Sequence, residues 1–201
     1  MISWFLIDLG NTVIKLAYER VIESICREAS VDRDELLDIF EMAGGYRDME
    51  RGATTFWQFH EFLGERAGYR GTVRDLHEIW ANFFDGPTPG IEDLLARIRQ
   101  KYRIAFLSNS NEVHAEVIPK QFAGLFERDD RFIFSYRFKV AKPDPEMFHR
   151  ALETIGAQAS DVVFIDDLIE NVIAARGIGI RSFQCTDAQA LLKQLQGEGL
   201  L

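Results

Sequence analysis

The sequence predicts an α/β fold: a doubly wound, Rossmann-like parallel sheet carrying an inserted helical bundle. Three observations carry that expectation. Five short apolar runs, Trp4–Ile7, Ile104–Leu107, Phe132–Phe134, Val162–Ile165 and Arg181–Gln184, are continuous rather than alternating, as in strands covered on both faces. Helical patterns separate the later runs, and strands alternating with helices argue for a parallel sheet. The stretch between the first two runs is far too long for a simple crossover.

The elements follow in order. Trp4–Ile7 reads as the first strand. Residues 16–88 show no strand pattern but four amphipathic helices. They are Tyr18–Ala29, Arg33–Met42, Thr55–Ala67 and Val73–Phe84. Asp32 and Glu35 form a capping box ahead of the second helix. Phe56, Phe59 and Leu63 mark the buried stripe of the third, and Phe56, Trp57, Phe59 and Phe62 are assigned to the bundle interior. Tyr46, Arg47 and Asp48 follow the Gly44-Gly45 pair and are candidates to face a crevice. Gly86-Pro87-Thr88-Pro89-Gly90 closes the insertion. The expected division is a core of residues 1–15 and 89–201 with a helical cap of residues 16–88. Within the core, Ile91, Leu94, Leu95 and Ile98 mark a helix before the second strand. Pro145–Ile155 forms another before the fourth strand, and Asn171–Arg176 runs to a stop at Gly177.

Composition narrows the function classes. The 201 residues are 47% apolar and 27% charged, with a formal net charge of −9. A chain of this length buries a full core. Its acidity argues against a nucleic-acid partner, because phosphate backbones call for clustered Lys and Arg. No apolar run approaches the ~20 residues that span a bilayer. Cys26 and Cys185, the two cysteines, lack metal or redox spacing and are expected as unpaired buried thiols in a reducing compartment. With no basic leader, the expected location is the cytoplasm.

Four polar clusters end or follow strands. They are Asp8 with Asn11 and Thr12, Ser108-Asn109-Ser110, Lys142-Pro143-Asp144-Pro145, and Asp166-Asp167. In open α/β sheets the carboxyl ends of the strands open onto one crevice, so the clusters are expected to converge. Three carboxylates there would repel one another unless a cation intervened. A hard divalent ion such as Mg²⁺ suits carboxylate, carbonyl and water oxygens. Lys142 and the Ser108 hydroxyl then suit a phosphate, and a carboxylate facing its phosphorus can act as nucleophile. His60, His77, His114 and His149 show no ligand spacing.

These motifs, in this order, resemble a haloacid dehalogenase (HAD) superfamily hydrolase along nearly the whole chain. DLGNT from Asp8, SN at Ser108, KP at Lys142 and DD at Asp166 stand where that family has its four motifs. KPDPEMF and FIDDLIENVIAARGIGI are close to the branch with a helical cap inserted after the first strand. The resemblance implies a HAD-like Rossmann-like core, a Mg²⁺ cofactor and a small phosphorylated substrate. It implies that Asp8 is the nucleophile, forming an aspartyl-phosphate, and a metal ligand together with the Gly10 carbonyl. Asp167 is implied as the directly coordinating acid and Asp166 as a second, water-mediated one. Ser108 and Asn109 are implied to hold the phosphoryl group, and Lys142 to pair with Asp8 and the phosphate. Asn171 stands where the commoner pattern has a further acid, and its implied part is to orient neighbours.

One departure stands out. Where the family pattern has a second aspartate, the general acid and base, this chain has Gly10. Either a cap residue, water or the substrate relays the proton, or the leaving group needs no acid, or turnover is lost. The DLGN form and the cap stretch DMERGATTFWQF resemble the branch that includes α-D-glucose-1-phosphate phosphatase, and an anomeric leaving group needs little help from an acid. The expected function is therefore a Mg²⁺-dependent phosphatase of a small phosphomonoester such as a sugar-1-phosphate. A catalytically weak phosphate-binding module is the main alternative. A metal-free haloacid dehalogenase ranks lower, because a bare Asp166-Asp167 pair opposes it electrostatically.

Overall fold

The computed structural model describes residues 1–201. Its seven strands are β1 (Trp4–Ile7), β2 (Ile14–Leu16), β3 (Phe84–Pro87), β4 (Arg103–Ser108), β5 (Arg131–Phe134), β6 (Val162–Asp166) and β7 (Arg181–Gln184). Five of them form one sheet in the order β5-β4-β1-β6-β7, every neighbouring pair being parallel. The chain leaves β1 for β4 and β5 on one side, then returns to β6 and β7 on the other. That reversal opens a crevice at the carboxyl ends of β1, β4 and β6. Ile7 pairs with Phe106 on one side and Ile165 on the other, so Asp8, Ser108 and Asp166 emerge side by side.

The helices are α1 (Tyr18–Glu28), α2 (Arg33–Glu41), α3 (Tyr46–Glu50), α4 (Phe56–Ala67), α5 (Val73–Ala81), α6 (Ile91–Arg99), α7 (Glu112–Gln121), α8 (Pro145–Ile155), α9 (Ile169–Gly177) and α10 (Ala188–Gly197). Local chemistry sets their ends. Asp32 and Glu35 make the expected capping box, and Thr55 with Gln58 and Thr72 with Asp75 make two more. Each box satisfies two otherwise orphaned backbone donors. Gly68 closes α4 in the left-handed conformation that a side chain would strain.

Three expectations need correction. The stretch 16–88 is not free of strand: β2 and β3 pair antiparallel where the helical segment leaves and rejoins the core. Three residues of β2 are too few for a readable alternation, and Gly86-Pro87 looks like a turn. Pro87 is tolerated because a two-stranded ribbon is all edge. For the same reason the helix expected over Val73–Phe84 stops at Ala81, and Phe83 and Phe84 turn into the interior, 2% and 6% exposed. The aromatic stripe also divides: Phe56 and Phe59 are buried, whereas Trp57 is 57% exposed. Short α3 has too few turns to show a period, and Pro119 inside α7 breaks that helix's pattern.

The helical segment does not pack apart from the sheet. One apolar cluster joins Phe5, Ile7 and Phe106 of the sheet to Val21, Phe40, Phe59 and Trp80 of the inserted helices. A smaller cluster around Leu6, Phe148 and Phe164 fills the other face. Cys185 is buried and Cys26 half-buried, both as free thiols. No helix is long and apolar enough to cross a membrane.

Candidate active site

The crevice gathers Asp8, Gly10, Ser108, Asn109, Lys142, Asp166 and Asp167 around one cavity of about 220 Å³. Lys142 is its hub. The ammonium is buried and donates to Asp8 Oδ1 at 2.5 Å, Asp166 Oδ2 at 2.7 Å and the Leu107 carbonyl at 3.0 Å. Three donors meet three acceptors, so no proton of the ammonium is left over. Burial opposes the charge, yet Asp166 and Asp8 hold the lysine firmly protonated, above its ordinary range.

Each partner is itself held. Asn109 clamps the lysine backbone: its Oδ1 accepts the Lys142 N–H at 2.8 Å and its Nδ2 donates to the Lys142 carbonyl at 2.9 Å. The Asn109 amide therefore reaches the site through Lys142. Of the three side chains expected to grip a phosphate, Ser108, Asn109 and Lys142, the Ser108 hydroxyl is the least engaged, donating only to the Asn109 carbonyl at 3.2 Å. Asp166, fully buried, also accepts from Leu168 N–H at 2.9 Å and from Asn171 Nδ2 at 3.0 Å to each oxygen. Asn171 thus orients a carboxylate, as its place in the motif implied. Asp167, next in sequence, is half-buried and lines the cavity.

Asn11 adopts φ +54°, a left-handed conformation that Asn tolerates better than most residues. Its Oδ1 accepts the Leu16 N–H at 3.1 Å, so it shapes the turn after Asp8. The Gly10 carbonyl accepts the Thr12 N–H at 2.7 Å and keeps a second lone pair. A Cβ added at Gly10 would lie 3.2 Å from Leu16 Cδ1. An apolar side chain thus packs over the position where the family pattern has its proton donor.

The acids are crowded. Oxygens of Asp8, Asp166 and Asp167 lie within 4.8 Å of one another. Burial pushes the Asp8 carboxyl up, and Asp166 and Asp167 push the same way against Lys142. Burial and then Asp166 raise Asp167 to about 6. Three carboxylates against one ammonium leave excess negative charge. An all-oxygen donor set of that charge fits a hard divalent cation such as Mg²⁺.

The opposite wall comes from the inserted segment. Tyr46 and Glu50 of α3, with Leu16, Phe83 and Phe84, line the same cavity. Of the residues after Gly44-Gly45, Tyr46 lines the crevice and Arg47 lines a neighbouring groove. Asp48 instead accepts the Gly44 N–H at 2.6 Å. His114 of α7 is buried against Trp80, Phe83 and Phe84, and burial lowers it to about 3. Glu50 escaped the sequence reading: α3 is too short to reveal its inward face, and the glycine pair was the only pointer to this segment.

Comparison with known proteins agrees with the geometry. A family model described as haloacid dehalogenase-like hydrolase matches residues 2–179. The chain belongs to this family of hydrolases. A D-ribitol-5-phosphate phosphatase from Bacteroides thetaiotaomicron is 24% identical over 189 residues, 92% of each chain. A solved HAD family enzyme from Bacteroides thetaiotaomicron matches with TM-score 0.82 at 28% identity, covering 95% of this chain and 98% of that one. The same enzyme solved with magnesium and inorganic phosphate gives 0.77 at 27% identity, over 95% and 99% of the two chains. An L-2-haloacid dehalogenase from Xanthobacter autotrophicus, at 18% identity and TM-score 0.67 over 100% and 85%, shares the fold.

Proposed function

We propose that this chain is a Mg²⁺-dependent phosphatase of a small phosphomonoester, a sugar or sugar-alcohol phosphate, working through an aspartyl-phosphate on Asp8. The observation that carries this reading is the buried Asp8–Lys142–Asp166 arrangement at the strand ends, with Asp167 beside it on one cavity. The activity and the Mg²⁺–phosphate complex of the Bacteroides relatives support it.

In this reading Asp8, the Gly10 carbonyl, Asp166 and Asp167 would hold the ion. Asp166 acts mainly through Lys142 and Asn171, and Asp167 is the acid free to coordinate. Bound there, Mg²⁺ neutralises the carboxylates and polarises the phosphoryl oxygens. Lys142 fixes the Asp8 rotamer and, against the burial that raises this carboxyl, favours the ionised form that attacks phosphorus. The Ser108 hydroxyl holds a phosphoryl oxygen. Attack by Asp8 expels the alcohol. Hydrolysis of the aspartyl-phosphate then returns Asp8 and releases phosphate.

The test is phosphate release from a panel that includes D-ribitol 5-phosphate and α-D-glucose 1-phosphate, with Mg²⁺ and with EDTA. Release that EDTA abolishes is expected on at least one of them. No metal-dependent release from any ester would leave a phosphate-binding module as the better account.

A further inference from the structure

We propose that Glu50 of the cap is the general acid and base of this site, in place of the aspartate that Gly10 does not supply. The proposal rests on the phosphatase reading above and adds the residue that moves the proton.

Geometry carries it. Glu50 lines the same cavity as Asp8, Ser108 and Lys142, on the wall facing them. Its main chain is tied through Ser135 to the loop that follows Ser108. The Ser135 hydroxyl donates to the Glu50 carbonyl at 2.5 Å and accepts the Ser110 N–H at 2.9 Å. Two residues on, Gly52 has φ +62° and packs so closely on Tyr136 that a Cβ would overlap the Tyr136 carbonyl oxygen. The end of α3 is therefore docked on the core with its acid over the site. Tyr46, one turn earlier on the same helix, lines the cavity beside it.

The other titratable groups on the cavity are engaged or in the wrong state. The Lys142 ammonium has all three protons committed. His114 is buried as the neutral imidazole and has no proton to spare for a leaving oxygen at neutral pH. Asp8, Asp166 and Asp167 are the nucleophile and the metal acids. Tyr46 is held far into its protonated range by burial and by Glu50. Burial raises the Glu50 carboxyl above its ordinary range, against Tyr46, Lys142, Arg47 and Arg51, the charged and polar groups that face it. A carboxylic acid tuned upward by burial is the usual form of a general acid near neutral pH.

The steps balance. As Asp8 bonds to phosphorus and the phosphorus–alkoxide bond breaks, Glu50 gives its proton to the departing oxygen. The Glu50 carboxylate then takes a proton from water while the water oxygen bonds to phosphorus. The Asp8–phosphorus bond breaks, and hydrogen phosphate leaves with both residues restored. With this acid present, the alcohol need not be an anomeric one.

The experiment compares wild type with Glu50→Gln, with Mg²⁺, on p-nitrophenyl phosphate and on alkyl and polyol phosphates. The kcat/KM for alkyl and polyol esters should fall about 10²–10⁴-fold, and that for p-nitrophenyl phosphate far less. The variant should also show a burst of p-nitrophenol matching the enzyme concentration, because the phosphoenzyme now waits for its base. Equal losses on all esters, or none, overturn the proposal. A second measurement needs no variant: the wild-type kcat/KM should depend only weakly on leaving-group pKa, and a steep dependence overturns the assignment. A wild type inactive on every ester overturns the phosphatase reading as well. An active wild type without this selectivity overturns Glu50 alone.

Discussion

The two walls of the crevice are built by different physics. The core wall is electrostatic: one buried ammonium satisfies Asp8, Asp166 and a strand carbonyl, and Asn109 and Asn171 hold the partners in place. The wall from the inserted segment is mostly apolar, with Leu16, Phe83 and Phe84 around Tyr46 and Glu50. The difference teaches where each part of the chemistry can reside. Charge that must be held still sits at or beside strand ends, where register positions Asp8 and Asp166 and Asn109 holds the Lys142 backbone. In the proposal above, the group that must gain and lose a proton sits on the less charged wall. There burial is the largest influence on its affinity, and Tyr46, Lys142, Arg47 and Arg51 oppose it.

The largest expected effect breaks the core wall. Lys142→Met leaves the buried Asp8 and Asp166 carboxylates without their cation, which costs about 3–5 kcal/mol. Urea unfolding at neutral pH should show that loss, and added Mg²⁺ should recover part of it by supplying replacement charge. An unchanged unfolding midpoint would mean that the cluster is not electrostatically held.

A smaller effect probes the junction of the two walls. His114 stacks on Trp80 with ring centroids 6.0 Å apart and packs on Phe83 and Phe84, linking α7 to the inserted segment. Its folded pKa of about 3 lies below the ~6.5 of an exposed histidine, so the unfolded chain takes up the proton first. This contribution is fully present above about pH 6.5 and falls by about 1.4 kcal/mol per pH unit on acidification toward 3. His114→Gln should therefore flatten the stability–pH curve between pH 6.5 and 4 relative to wild type. Parallel curves would show that His114 is not buried as the neutral ring.

The same contrast explains what the sequence disclosed. Trp4–Ile7, Pro145–Ile155 and Arg181–Gln184 were legible to the residue, because a strand covered on both faces is a short continuous apolar run and an amphipathic helix has a strong period. Asp8, Ser108 and Asp166 were legible because each ends or directly follows a strand whose end the topology must bring to one crevice, and Lys142 because its loop connects the next strand to a helix on the same side. Glu50 was not, since five-residue α3 has no period and its inward face depends on Ser135 and Gly52. Leu16 was equally silent: its part in covering Gly10 comes from a three-residue strand whose partner, β3, reads as a turn. Asn109 carried the right motif, yet its amide faces the lysine backbone, a detail of loop conformation that spacing does not encode.

The central claim is that Asp8 itself carries the phosphoryl group during turnover. Quenching the enzyme in mid-turnover with p-nitrophenyl phosphate and Mg²⁺, then reducing with borohydride, converts an aspartyl-phosphate to homoserine, which peptide sequencing locates. Homoserine at position 8, absent from an enzyme quenched before substrate is added, is the predicted result. Turnover with no homoserine at position 8, or with the label on another residue, would contradict it.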